Sequence, residues 1–155
     1  MDYRVDETSF GKRFDDAIEE AHRALVEAGR RVRGASNRGE AAKRDLDALR
    51  TFDQRIATLI ETGGFAELPA LRNRLWRRLP HFHHLTVGPW RGVFLVAPDR
   101  SAAVALVFSR EPHDYRDRLD ELAAPHRASF GADAAADAAA DAAADANEAQ
   151  GEPRR

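Results

Sequence analysis

The 155-residue sequence contains no cysteine, which excludes disulfides, thiolate zinc sites and thiol nucleophiles. It also lacks any apolar run near the ~20 residues that span a bilayer. Its opening residues, Met1 to Asp6, show no apolar stretch typical of a signal peptide. Dinucleotide fingerprints and phosphate-cradling glycine loops are missing as well. We therefore expect a soluble, cytoplasmic protein that has no membrane partner and no cofactor.

Acidic residues are missing from one long window, between Glu67 and Asp99. Lysine is also rare, because Lys12 and Lys43 are the only lysines among the 24 basic residues. Arginine carries a permanent charge and a planar fork suited to phosphate, so this window is a candidate RNA-binding surface. Its expected RNA contacts are Arg72, Arg74, Arg77, Arg78, His81 and His83. The alternative is a solvated arginine face paired with acids from elsewhere in the fold.

The run His81-Phe82-His83-His84 suggests a metal site at first sight. In a strand, however, His81 and His83 share one face and His84 points to the other. Zinc sites use three or four protein ligands, and no cysteine completes the set. We therefore expect no metal, and we interpret these histidines as proton carriers or phosphate contacts.

Hydrophobic spacing in the first half predicts two long helices joined by a short loop. Apolar residues recur every three or four positions over roughly 10–31 and 46–60, and the second pattern ends at Gly63. The short run Tyr3-Arg4-Val5 before them is a candidate edge strand. A shorter helix is predicted over 69–78, with its leucines turned inward.

Beyond Pro80 the pattern becomes that of strands. Three runs rich in β-branched and aromatic residues, 83–87, 90–96 and 102–108, are separated by turn sequences and predict an antiparallel meander. A helix over 114–122, ended by Pro125, follows them. The predicted fold is α+β, with an N-terminal helical hairpin and a short C-terminal helix, and with the helices packed on one face of a small antiparallel sheet.

Turn lengths set the expected strand register. A two-residue loop at Gly88-Pro89 pairs His84 with Val93, and a four-residue loop at 98–101 pairs Arg91 with Phe108. His84, Arg91 and Arg110 then project to one face, where the two arginines are close enough to hold one phosphate. The other face is expected to form the core: Leu85, Val87, Trp90, Phe94, Val96, Ala105 and Val107.

The last part of the chain has a different composition. From Asp133 to Asp145 an aspartate recurs every four residues among alanines, and residues 131–155 carry a net charge of −4 against +2 for the rest. Like charges at this spacing repel by roughly 0.2–0.5 kcal/mol per pair, and no large apolar side chain anchors the segment. We expect one domain over 1–126 and a disordered or frayed-helical tail over 127–155. The alternative for the tail is an acidic strip that shields the basic face.

The segment from His84 to Arg116 resembles the C-terminal half of the RelE/ParE toxin superfamily. Gly88-Pro89-Trp90-Arg91 is similar to that family's Gly-x-x-Arg entry to a strand. The strand ending in Ser109-Arg110 and the following Tyr115-Arg116 are similar to its last strand and tyrosine. The predicted helical hairpin also fits. The family's lysine pair has no counterpart, since Phe82 and His84 occupy those positions.

The resemblance implies a toxin of a type II toxin–antitoxin system that acts as a ribosome-dependent mRNA endoribonuclease. By its motif Arg91 holds the scissile phosphate, Arg110 steadies the transition state, and Tyr115 is a base or a stacking group. His84 is the expected proton carrier. The implied partners are a cognate antitoxin protein, the ribosome and mRNA. The alternatives are a non-catalytic ParE-like inhibitor of DNA gyrase and a non-toxic nucleic-acid-binding module of the same fold.

Overall fold

The computed structural model describes residues 1–30, 36–72 and 77–130, which form an α+β arrangement. The strands are β1 (Asp2–Val5), β2 (Ala70–Arg72), β3 (Arg78–Val87), β4 (Trp90–Val96) and β5 (Ala102–Arg110). The helices are α1 (Lys12–Arg30), α2 (Ser36–Thr62) and α3 (Leu119–Arg127). Single helical turns lie at Glu7–Gly11, Gly64–Glu67, Arg116–Arg118 and Ala128–Phe130. The predicted tail from residue 131 onward lies outside the described residues.

The five strands form one mixed sheet in the order β1-β5-β4-β3-β2. β1 runs parallel to β5 at one edge, while β2 to β5 pair antiparallel. The predicted edge strand, the meander and the helical hairpin are confirmed. The expectation of a purely antiparallel sheet is wrong, because β1 pairs with β5 in the parallel direction.

The predicted helix over 69–78 is wrong in its described part. Ala70 pairs with His83 and Arg72 with Arg78, so this segment is a short strand beside β3. The Pro69 carbonyl accepts a hydrogen bond from the His84 N–H at 3.0 Å. A long strand such as β3 presents a row of unpaired N–H and C=O groups, and pairing satisfies them. Only one of the leucines that suggested a helix, Leu71, lies in β2, where it is buried.

The two faces of the sheet are covered by different helices. The hairpin face packs against α1 and α2 and carries Trp90, Phe94 and Phe108. The α3 face packs against α3 and carries Val93, Leu95 and Val107. The prediction that the helices share one face is therefore wrong for α3. That helix also continues through Pro125 to Arg127, because a missing N–H so near a helix end removes only one hydrogen bond.

A β-bulge in β5 changes which side chains share a face. Val93 pairs with Val107 but Phe94 pairs with Ala105, so Leu106 is the extra residue. The predicted pairing of Arg91 with Phe108 is therefore wrong by one position, and Arg91 pairs with Ser109. Val107 accordingly belongs to the α3 face and not to the core under the hairpin. The predicted β3–β4 register, including His84 with Val93, is confirmed.

Candidate functional site

Arg91 lies at the centre of a polar cluster on the α3 face. Its Nε donates to Thr86 Oγ1 at 3.2 Å, and its Nη1 donates to Tyr115 Oη at 3.3 Å. Thr86 is its partner across β3, and Tyr115 follows β5 just before the turn that leads into α3. A guanidinium carries five N–H donors, so two hydrogen bonds fix its orientation and leave donors for an anion.

Tyr115 is only 4% exposed and is part of the buried cluster under α3. A ring that is buried in this way has no face open to a nucleotide base, so the expected stacking role does not fit its position. Its hydroxyl accepts the hydrogen bond from Arg91 instead. The geometry therefore makes Tyr115 a group that orients Arg91.

Two histidines flank Arg91. The pKa of His84 is lowered to about 4, first by burial and second by the positive charge of Arg91, with smaller contributions from His83, His113 and Arg116. Burial and Arg91 also lower the pKa of His113. The Nδ1 atom of His113 lies 3.0 Å from Ser109 Oγ. Both imidazoles are therefore neutral at pH 7 and able to accept a proton.

Two arginines, Arg91 and Arg116, act on both histidines, and Glu111 is an acid that acts on His113. The Nδ1 atom of His84 is buried and has no hydrogen-bond partner among residues 1–30, 36–72 and 77–130. Cations at the rim of a partly buried surface create a positive potential that attracts anions.

A groove of about 640 Å³ adjoins the cluster at the edge of β3. Arg55, Thr58 and Leu59 of α2 form one wall, and His84, Leu85 and Thr86 of β3 form another. Its volume is within the range of about 300–1,000 Å³ that is usual for ligand pockets. The groove therefore has room for a ligand that reaches from α2 toward Arg91.

Arg110 does not join this cluster. It pairs with Trp90, so its side chain lies on the hairpin face. There its guanidinium is 5.1 Å from the Trp90 ring centroid, and Nη1 donates to Asp45 Oδ2 at 2.6 Å. The expectation that Arg91 and Arg110 hold one phosphate is wrong, because the bulge at Leu106 shifts the end of β5 by one residue.

The described members of the predicted RNA-contact set lie at different points in and beside β2 and β3. Arg72 and Arg78 pair across β2 and β3 and are exposed, and Arg77 is exposed just before β3. His83 pairs with Phe94 on the hairpin side, and its Nδ1 lies 2.8 Å from the Leu68 carbonyl oxygen. His81 has a φ of 65°, which interrupts the alternation of side chains along β3. Arg74 lies outside the described residues.

Sequence reasoning missed three members of the cluster, namely Thr86, Ser109 and His113. Nothing in the sequence around His113 marks it as part of a site. The one available signal is its position two residues before Tyr115, at the end of β5. Within the described ranges no three His, Cys, Asp or Glu side chains form a group able to hold a metal ion.

Comparisons with protein-family models, with curated proteins and with solved structures give no match to this chain. Among the helices of the described ranges, none combines the length and the apolar character needed to cross a membrane.

Proposed function

We propose that this chain is the toxin of a toxin–antitoxin pair and cleaves mRNA on the ribosome. The observation that carries the proposal is Arg91, held by Thr86 and Tyr115 beside two neutral histidines. RNA cleavage by internal attack needs an anchor for the phosphate, a base and an acid. In the cluster, Arg91 can anchor the phosphate, and the two histidines can act as the base and the acid.

In this mechanism Arg91 binds the scissile phosphate and offsets the charge that grows on it in the transition state. A neutral imidazole accepts the 2′-hydroxyl proton while the 2′-oxygen attacks phosphorus. The bond from phosphorus to the 5′-oxygen breaks, and a protonated imidazole gives that oxygen its proton. The products are a 2′,3′-cyclic phosphate and a 5′-hydroxyl.

His113 and His84 are the two proton carriers. Arg91 is among the groups that hold both rings neutral in the unliganded protein. An RNA phosphate beside Arg91 adds a negative charge, which raises the pKa of both rings toward the working pH. Ser109, whose hydroxyl lies next to His113 Nδ1, is the group that orients that ring.

Arg116 takes the role that the sequence suggested for Arg110. It is exposed in the turn after Tyr115, and its charge acts on both His84 and His113. The exposed arginines Arg72 and Arg78, which pair across β2 and β3, are proposed as contacts to flanking phosphates. The groove beside α2 would take the adjoining nucleotide.

The toxin assignment rests on the resemblance of residues 84–116 to the RelE/ParE superfamily. The same resemblance is the basis for the proposed partners, namely a cognate antitoxin protein, the ribosome and mRNA, and for a proposed site of action in the cytoplasm. The gyrase-inhibitor branch of that superfamily and a non-toxic module give different outcomes in the experiment that follows.

Induced expression in a bacterial host tests the proposal, with message decay followed by primer extension. We expect growth arrest and new message ends that carry a 5′-hydroxyl. Arg91→Ala and His113→Gln should each abolish both effects. Arg23→Ala, an exposed arginine on α1, is the matched control and should leave them unchanged.

Three results would contradict the proposal. Growth arrest with intact messages and accumulated gyrase–DNA breaks would indicate the gyrase-inhibitor branch. Normal growth with well-expressed, folded protein would indicate a non-toxic module. Arrest that persists in the Arg91→Ala/His113→Gln double variant would show that this cluster is not the active site.

A further inference from the structure

The groove at the edge of β3 has apolar walls that are held in place. Four of its lining side chains are apolar, and they come from α2, from the segment before β2 and from β3: Leu59, Leu68, Pro69 and Leu85. The three leucines belong to the buried core under the hairpin or pack against it. The His84 N–H donates to the Pro69 carbonyl at 3.0 Å, and the Nδ1 atom of His83 lies 2.8 Å from the Leu68 carbonyl oxygen. The groove is therefore preformed, as most small-molecule sites are.

One positive charge faces these apolar walls. Of the residues that line the groove, Arg55 alone is charged at pH 7, because the pKa of His84, lowered mainly by burial, is about 4. Within residues 1–30, 36–72 and 77–130, Arg55 makes no hydrogen bond or ion pair. Its neighbours one helical turn away are not acidic: Thr51, Phe52, Thr58 and Leu59. The acids closest to the lining in sequence, Asp53, Glu61 and Glu67, are exposed and lie outside it.

The groove meets the candidate site at Thr86. Thr86 lines the groove, and its Oγ1 accepts the hydrogen bond from Arg91 Nε at 3.2 Å. His84, one of the two proposed proton carriers, lines the groove as well. A molecule bound in the groove therefore occupies space beside the proposed position of the scissile phosphate.

We propose that this groove binds an amphipathic monoanion, that is, a flat apolar body with one carboxylate. The body lies between the leucines and Pro69, and the carboxylate accepts paired hydrogen bonds from the Arg55 guanidinium. Such a ligand satisfies the walls and the cation together. A nucleobase brings more polar atoms than these walls can pair, and each one left unpaired opposes binding. The groove therefore holds a nucleotide only as part of a longer RNA that Arg91 anchors.

The bound monoanion excludes the RNA nucleotide next to Arg91. This part of the inference rests on the proposed function, whereas the binding of the monoanion does not. The two ligands share the groove, so each lowers the occupancy of the other by mass action. The groove thereby acts as a regulatory site for the cluster around Arg91.

Amide NMR of the isotope-labelled full chain tests the binding, with 2-naphthoate as the probe and without RNA. We expect saturable shifts of the amide signals of Thr58, Leu85 and Thr86. Arg55→Leu should weaken 2-naphthoate binding about tenfold, because it removes a charge-assisted pair. The uncharged 2-naphthalenemethanol uses the apolar walls alone, so its affinities for wild type and Arg55→Leu should agree within about twofold.

Three further variants sharpen this test. Arg50→Leu removes an exposed arginine of α2 that does not line the groove, and it should leave the affinity for 2-naphthoate unchanged. Arg55→Lys keeps the charge without the planar fork, so its affinity should fall between those of wild type and Arg55→Leu. Thr58→Trp fills the groove from an exposed position on α2 and should abolish the shifts with both ligands.

Four results would overturn the inference. The absence of any saturable shift at millimolar 2-naphthoate would show that the groove does not bind it. Equal weakening in Arg55→Leu and Arg50→Leu would mean that net charge alone sets the affinity. Unchanged shifts in folded Thr58→Trp would place the ligand elsewhere on the protein. Tighter binding of 5′-GMP or 5′-AMP than of 2-naphthoate at these residues would make the groove a nucleotide site.

RNA affinity supplies the second test, with a non-cleavable 2′-O-methyl oligonucleotide as the probe. At ten times its dissociation constant, 2-naphthoate leaves about one groove in eleven empty and should weaken RNA binding about threefold to tenfold. The same concentration should weaken it by no more than about twofold in Arg55→Leu, where about half of the grooves stay empty.

This second test separates the inference from the proposed function. Unchanged RNA affinity in the presence of bound 2-naphthoate would contradict the exclusion of the nucleotide. If no variant binds RNA while 2-naphthoate still shifts the groove signals, the proposed function is contradicted and the monoanion site stands. RNA binding without any binding of 2-naphthoate would have the opposite meaning.

Discussion

The two faces of the sheet differ in the side chains that cover them. The hairpin face is closed by aromatic rings, with Phe10, Phe14, Phe52 and Phe108 in mutual contact at centroid distances of 5.1 to 6.4 Å. The α3 face has an apolar part under α3 and a polar part around Arg91. One face gives the sheet its stability, and the other uses that rigid support to position polar groups.

A single extra residue separates these two roles. Leu106 forms the bulge in β5, and the residues after it change sides relative to a regular strand. Arg110 consequently lies over Trp90 on the hairpin face, while Ser109 lies beside Arg91 and His113. Without the bulge, the two arginines would share a face as the sequence suggested.

The largest effect is expected on the hairpin face, for Phe52→Ala. Phe52 is fully buried, and its ring meets Phe108 edge-on at 5.2 Å. Removing such a ring leaves a cavity and should lower the free energy of unfolding by about 3–5 kcal/mol. Urea unfolding followed by circular dichroism measures it. A loss below about 1 kcal/mol would mean that the aromatic cluster does not hold the hairpin on the sheet.

Gly92 provides a sharper version of that test. A Cβ at this position would lie 2.6 Å from Phe52 Cζ, so Gly92→Ala should also destabilise the fold. In the Phe52→Ala background the clash with that ring is removed. The two substitutions should therefore be less costly together than the sum of their separate effects, and additive costs would contradict this contact.

The second prediction contrasts the two arginines across the sheet. Arg91→Ala should reduce RNA cleavage about 10²–10³-fold, because it removes the donors aimed at the phosphate. Arg110→Ala should leave cleavage within about threefold and cost roughly 1 kcal/mol of stability, through loss of the Trp90 and Asp45 contacts. Cleavage of ribosome-bound mRNA by the two purified variants measures the difference. Equal losses of activity would restore the shared-phosphate hypothesis.

The long periodic elements could be predicted from the sequence, and the site could be predicted only in part. The apolar spacing in α1 and α2 and the turn at Gly88 are local features of the sequence. They were therefore enough to predict the helical hairpin and the β3–β4 register. β2 depends on pairing with a distant strand, and its few residues fit a helix equally well. Nothing in the local sequence marks the bulge at Leu106. A register without the bulge puts Arg110 on the wrong face of the sheet and gives no reason to place His113 near Arg91.

A smaller effect is expected where the two ends of the domain meet. Asp6 Oδ1 accepts hydrogen bonds from the Ser9 N–H and hydroxyl, and Oδ2 lies 3.0 Å from His126 Nε2 on α3. Asp6→Ala should lower the free energy of unfolding by about 1–2 kcal/mol. Asp6→Asn keeps a capping group and should be less costly. Thermal unfolding of both variants at pH 7 compares them.

The pH dependence of this contact has a defined sign. Burial alone would raise the pKa of Asp6, but the hydrogen bonds from His126 and Ser9 outweigh it and hold the pKa below its usual value. The stabilisation is therefore complete above the unfolded pKa of about 3.9 and is lost as the pH falls through the folded value. The gap between wild type and Asp6→Asn should close in that acidic range. A gap unchanged at pH 2 would contradict the role of the charge.

The smallest predicted effect is on the titration of His84. Burial is the largest cause of its lowered pKa of about 4, and the charge of Arg91 is the second. Arg91→Gln removes the charge and leaves the burial, so the pKa of His84 should rise but stay below the ordinary value of about 6.5. Arg110→Gln is the matched control, because its charge lies on the hairpin face and is absent from the groups that act on His84.

Proton NMR of the imidazole signals measures this pKa directly, and unfolding gives an independent check. Because the folded pKa of His84 lies below the unfolded one, the unfolded chain binds the proton first, and stability falls as the pH drops from about 6.5 toward about 4. Arg91→Gln should make that decline shallower, whereas Arg110→Gln should leave its slope unchanged. Equal shifts in both variants would mean that the two faces are electrostatically coupled through the sheet. An unchanged His84 in Arg91→Gln would show that burial alone sets its pKa.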